Sequence, residues 1–118
     1  MTTTGSDRDI VIQHIVVTTL SKILSRDANR IQELGLLTAY VRHIEKLQLL
    51  IESEQREVRV LLGSRNIKIL DLNTKDGIRC RYTARGYGES IDMLSSVIKT
   101  ACDRHLQKVM GLTPSDSI

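Results

Sequence analysis

The sequence predicts an α+β fold: two or three N-terminal helices, a small antiparallel β-meander or hairpin, and one long C-terminal helix. Three observations carry this. Apolar residues recur at helical spacing through the first half of the chain and again near its end. Between those regions the period falls to two, from Val58 to Tyr82. That stretch is interrupted by Asn73-Thr74-Lys75-Asp76-Gly77, residues that tolerate positive φ and so mark a hairpin. A chain of 118 residues fits one domain, 1–118, with loose tails at 1–6 and 113–118.

Taken in order, residues 9–24 read as a helix, with Ile12, Val16, Leu20 and Ile23 on one face and Ser6 or Asp7 as cap. The β-branched Ile10-Val11-Ile12 and Ile15-Val16-Val17 leave a strand as the alternative, which the length of the stretch disfavours. Residues 25–29 read as a break, with Asp27 as an N-cap. Residues 30–55 are helical again, through Ile31, Leu34, Leu37, Val41, Ile44, Leu47 and Ile51. Gly35 lies inside this run; it is either tolerated within one helix, at about 1 kcal/mol against Ala, or a turn between two.

Val58, Val60 and Leu62 then alternate as a first strand, with Gly63-Ser64-Arg65 as a turn. Residues 66–72 form a second strand, and Ile78, Cys80 and Tyr82 alternate in a third, which Gly86 and Gly88 end. From 89 to 110 the helical period returns in Ile91, Leu94, Ile98, Ala101, His105 and Val109. Gly111 is the natural C-cap and Pro114 forbids continuation.

Composition narrows the function. Hydrophobic residues at 41% and charged residues at 26% are ordinary for a globular chain, and no run approaches the length of a membrane span. The opening lacks a basic region and a cleavage site, so it reads as mature sequence. Aromatics are 3%, three Tyr alone, too few for a base-stacking platform. Two Cys make no disulfide framework, which points to a reducing, cytoplasmic setting.

The net charge of +3 is unevenly spread. Residues 56–88 carry eight basic side chains against Glu57, Asp71 and Asp76, a net +5. With Val58, Val60, Leu62, Ile67, Ile69, Ile78, Cys80 and Tyr82 facing the helices, Arg59, Lys68, Arg79 and Arg81 share the opposite sheet face. Arginines on stiff strands suit phosphate contacts, so Arg59, Lys68, Arg79, Arg81 and Arg85 are the candidate backbone-binding set. The other reading is a solvated face that keeps an edge strand from aggregating.

The stretch from Leu34 to Leu47 resembles the turn and second helix of a helix-turn-helix. Gly35 stands at the turn, Leu34 and Leu36 flank it, and Val41 and Ile44 take the two later apolar positions. The hairpin and final helix that follow resemble winged helix-turn-helix DNA-binding proteins. The likeness implies a transcriptional regulator in which Thr38, Ala39, Arg42, His43 and Lys46 face DNA. The sequence departs from the pattern at Arg30 and Ile31, where an apolar and a small residue are usual.

Other motifs are incomplete. Arg85-Gly86-Tyr87-Gly88 opens like an RNA-recognition signature, but Glu89-Ser90 replaces its aromatic continuation. Cys102 and His105, with Cys80, fall short of a four-ligand zinc set. His14, His43 and His105 lie in amphipathic patterns without a nucleophile or phosphate loop, so neither an enzyme nor a cofactor is expected. The expectation is a small cytoplasmic nucleic-acid-binding protein, with DNA the expected form. It would act as a homodimer through the final helix, at Leu94 and Ile98, with no membrane role. The alternative is a homo-oligomeric interaction or scaffold protein that binds no nucleic acid.

Overall fold

The computed structural model describes residues 6–35 and 38–112. In chain order these form α1 (Asp7–Glu33), α2 (Thr38–Ser64), β1 (Ile67–Asn73), β2 (Ile78–Ala84), β3 (Tyr87–Met93) and α3 (Ser95–Val109). The fold is α+β, and the strands form an antiparallel meander in the order β1-β2-β3. Within that class the proportions differ from expectation. The two long helices are the N-terminal ones, 27 residues each, while α3 has 15.

Ser6, one of the two caps expected for the first helix, is the N-cap of α1 and so does not belong to the loose tail. Its Oγ accepts from the Asp9 backbone N–H at 3.2 Å, and the Asp9 carboxylate accepts from the Ser6 N–H at 3.2 Å. Two of the helix's orphan donors are thereby satisfied. The expected break at 25–29 is absent, and Asp27 lies inside α1. Leu20, Leu24 and Ala28 continue one buried stripe at a spacing of four, so the polar residues between them simply face outward.

The chain turns at Gly35, which resolves the two alternatives left open there. Its φ is +64°, and its N–H donates to the Gln32 carbonyl at 3.1 Å. Leu36 and Leu37 lie outside the described residues, as do the tail residues 1–5 and 113–118, Pro114 among them. α2 then returns antiparallel to α1. Arg65, just past its end, reaches Asp7 at the start of α1 at 3.2 Å.

The expected strand at 58–62 is the last part of α2. Leu47, Ile51, Val58 and Leu62 are buried at intervals of four and seven, one face of a helix. Val60, assigned inward by strand alternation, stands exposed on the opposite side. The strand count survives because another strand replaces it. Residues 87–93, of which 89–93 were expected to start the last helix, are β3 instead. Arg85 at φ +53° and Gly86 at φ +90° make the two-residue turn whose twist suits a hairpin, and Ala84 pairs with Tyr87 across it.

Ile67, Ile78, Cys80, Tyr82 and Ile91 cover the inner sheet face and join Ile10, Val11, Ile15, Val16 and Leu20 of α1 in one core. Ile98 and Cys102 of α3 complete it. Beyond residue 25 of α1 and before residue 51 of α2, only Ala28 and Leu47 are buried among the described residues. The far end of the helical hairpin therefore projects past the sheet, consistent with extents of 49 × 30 × 27 Å.

Candidate interaction surfaces

The eight basic candidates fall into three groups. Arg42, His43 and Lys46 are all exposed on the first turns of α2, in the projecting end of the hairpin. Arg59 is on α2 rather than the sheet, 13 residues past Lys46 and so about 20 Å along the helix axis. It lies close enough to His14 to help burial hold that imidazole below its ordinary value of 6.5.

Lys68, Arg79 and Arg81 do share the outer sheet face, but two of them are engaged. Arg79 Nε meets Asp92 Oδ1 on β3 at 2.8 Å. Arg81 grips Asp71 on β1 with two nitrogens, its Nε at 2.8 Å, and this holds the Asp71 carboxyl below the usual range. Arg85 is engaged at the other end of the sheet, where it meets Asp7 at 2.9 Å beside Arg65. Lys68, opposite Thr83, makes no ion pair among the described residues.

The structure also redistributes the charge. Residues 65–93, the meander with its leading turn, carry Arg65, Lys68, Lys75, Arg79, Arg81 and Arg85 against Asp71, Asp76, Glu89 and Asp92, a net +2. The larger excess in the sequence came from counting Arg56 and Arg59 with the sheet and leaving out Glu89 and Asp92, which lie on β3.

Of the two residues expected at a dimer interface, Leu94 is 70% exposed at the start of α3, whereas Ile98 is 7% exposed and belongs to the monomer core. Ile91, expected on the same helical stripe, is in β3. Tyr87, which the sequence placed only in an incomplete RNA-recognition signature, is the most exposed large apolar residue among those described, at 75%. Its place beside Gly86 was the only signal in the sequence that could have marked it as a turn residue on an edge.

The titratable residues of the sequence motifs are structural in their surroundings. Cys102 directs its thiol toward the Val16 carbonyl, 3.9 Å away, and burial raises both Cys102 and Cys80. His105 joins α3 to α2 through Glu54 at 3.0 Å. No three His, Cys, Asp or Glu side chains converge on a metal-sized site among the described residues. An apolar cleft of about 440 Å³ lies between α1, the sheet and α3, walled by Leu20, Ile23, Leu72, Ile78 and Leu106, with Lys22 and Lys99 at its edge. No described helix is long and apolar enough to cross a membrane.

These features define a small α+β protein in which a long helical hairpin backs onto a three-stranded β-meander. Residues 2–114 match the YhjD protein family, and the chain belongs to it. No curated protein and no solved structure gives a significant match.

Proposed function

We propose that this protein is a non-enzymatic interaction protein that works as a homo-oligomer in a reducing, cytoplasmic setting. One contrast carries the reading. The arginines of the sheet are matched by carboxylates within the same molecule, while Tyr87 and Leu94 stand in water at the two ends of β3. Together with the unpaired backbone of β3 between them, these two apolar side chains bracket a strand edge that can associate. A guanidinium already beside a carboxylate attracts a phosphate less, because the pair is close to neutral. Both cysteines are free thiols, which suits a reducing compartment.

Light scattering at tens of micromolar should give a mass of at least twice 13.3 kDa. Leu94→Asp, at an exposed position, should lower that mass without changing the far-ultraviolet spectrum. A monomeric wild type would end this reading.

A second reading keeps nucleic acid as the partner, with Arg42, His43 and Lys46 as the contacts of a winged-helix-like regulator. It is favoured by the turn at Gly35 and by these three side chains standing exposed together just beyond it. Titration with random duplex and single-stranded DNA and RNA at two salt concentrations tests it. About three phosphate contacts on B-DNA would give a slope near −2.7 in log K against log salt. Arg42→Gln with Lys46→Gln should then flatten that slope by nearly two units. No retardation of any nucleic acid at low salt removes this reading and leaves the first untouched.

A further inference from the structure

The two edges of the sheet are unlike. β1 carries two devices that keep a strand edge from pairing: a bulge between Ile69 and Asp71 and an exposed Lys68. β3 carries no bulge, no proline and no lysine or arginine over Tyr87–Met93, and it pairs with β2 in unbroken register. Apart from that pairing, no backbone hydrogen bond to a described residue involves these seven positions. A flat seven-residue edge, about 23 Å long, is a template for a further strand.

The side chains along that edge say which strand fits. Asp92 and Ser90 lie opposite Arg79 and Arg81, so the even-numbered residues face outward. Leu94, still extended at φ −68° and ψ 151°, continues that series past the end of β3. Outward along the edge come Gly86, Gly88, Ser90, Asp92 and Leu94, small in the first half and large in the second. Antiparallel pairing with an identical strand, centred on Ser90, sets Gly86 against Leu94 of the other copy and Gly88 against Asp92. Space for these side chains exists, because a Cβ added at Gly86 or Gly88 would meet nothing within 4 Å. On the inward face the same register places Tyr87 against Met93 and Glu89 against Ile91. No position has a like charge directly opposite. Shifting the register by two toward the turn would set Glu89 against Glu89.

We infer that β3 is the interface of a twofold dimer, in which two meanders join edge to edge, antiparallel about Ser90, into one six-stranded sheet. This rests on the homo-oligomer reading and names its surface. The pairing satisfies the open backbone groups of β3 and shields Tyr87 and Leu94, two of the most exposed large apolar side chains among the described residues, at the two ends of the seam. It leaves the projecting hairpin of each copy free.

The test is a cysteine at the twofold axis. Ser90 residues of the two copies would have Cα atoms about 4.5–5.5 Å apart, within disulfide range. Ser90→Cys should therefore form a covalent dimer under mild oxidation, seen on a non-reducing gel. Lys68→Cys, on the protected edge, should not. Cys80 and Cys102 are buried and do not compete. Ser90→Lys should convert the dimer to monomer by light scattering, since it sets two ammonium groups opposite each other, while circular dichroism stays unchanged. A dimer that survives Ser90→Lys, or a Ser90→Cys protein that links no faster than Lys68→Cys, overturns the edge-to-edge seam but not the homo-oligomer. A monomeric wild type overturns both.

Discussion

Replacing Gly77 by Ala should be among the most damaging single changes available in this chain. Gly77 ends the β1–β2 turn at φ +118°, a backbone region that side-chain-bearing residues scarcely enter. A Cβ there would lie 2.6 Å from the Met93 carbonyl oxygen, which is backbone and cannot rotate away. Backbone strain alone costs about 1–3 kcal/mol. Displacing the end of β3 to relieve the contact brings the total to about 3–4 kcal/mol. Gly35 supplies the control. It also has positive φ, +64°, but a Cβ would find nothing within 4 Å, so Gly35→Ala should cost only about 1 kcal/mol. Urea unfolding at fixed pH measures both. With a slope of about 1.5 kcal/mol/M, Gly77→Ala should lower the midpoint by about 2 M and Gly35→Ala by about 0.7 M. Equal midpoints for the two variants would refute the argument, because they would show that the turn gives way without disturbing Met93.

Gly63 is within α2, has no positive φ and has open space where a Cβ would stand, so Gly63→Ala should raise stability by about 0.5–1 kcal/mol in the same assay. His14, lowered first by burial and then by Arg59, binds its proton less readily folded than unfolded, so the unfolded state takes up more protons as the pH falls below about 6.5. Stability should therefore decline through that window, and His14→Gln should flatten the decline in urea midpoints measured between pH 7 and pH 5. Both thiols are buried and raised, so a disulfide reagent at pH 8 should titrate neither on the time scale of minutes in native protein and both in guanidinium.

The fold class was legible in the sequence because periodicity reports burial, and burial is what the meander and the helices share. The turn at Asn73–Gly77 and strand β2 were legible for a local reason: Asp76 and Gly77 both take positive φ, and Ile78, Cys80 and Tyr82 alternate cleanly. Strand β1 was legible as well, expected at 66–72 and found at Ile67–Asn73; the errors lay on either side of these two strands, where the local signal was ambiguous. Val58, Val60 and Leu62 fit a strand, yet Val58 and Leu62 also fit a helix that began 20 residues earlier. The helix prevailed because Leu47 and Ile51 were already on its buried face. At β3 the two glycines were read as the end of a strand. Gly86 instead serves with Arg85 as the reversal into the next one, and only Ile91 of that strand is fully buried. An edge strand with one buried residue has almost no periodicity to read.

Charge was the least legible property, and its misreading bears most on function. A run of residues reports its own charges but not those the fold brings beside them. Asp92 is 13 residues from Arg79, Asp71 is 10 from Arg81, and Asp7 is 78 from Arg85. Each pair exists only because the strands register as they do and because α1 starts where the β2–β3 turn ends. Once those pairs form, the sheet's outer face offers Lys68 as its one cation without a described partner. A phosphate there would meet three arginines whose charge a carboxylate of the same molecule already offsets, which weakens the attraction without abolishing it. The hairpin holds the other candidate cations, Arg42, His43 and Lys46, with Lys46 about 20 Å along α2 from Arg59. The sheet is left with a different property, an open antiparallel edge with a large apolar residue at each end. Those two surfaces lie at opposite ends of the molecule, so a dimer closed through β3 would present two projecting hairpins to any third partner. Loss of dimer and loss of that partner can thus be separated by Ser90→Lys on one side and Arg42→Gln on the other.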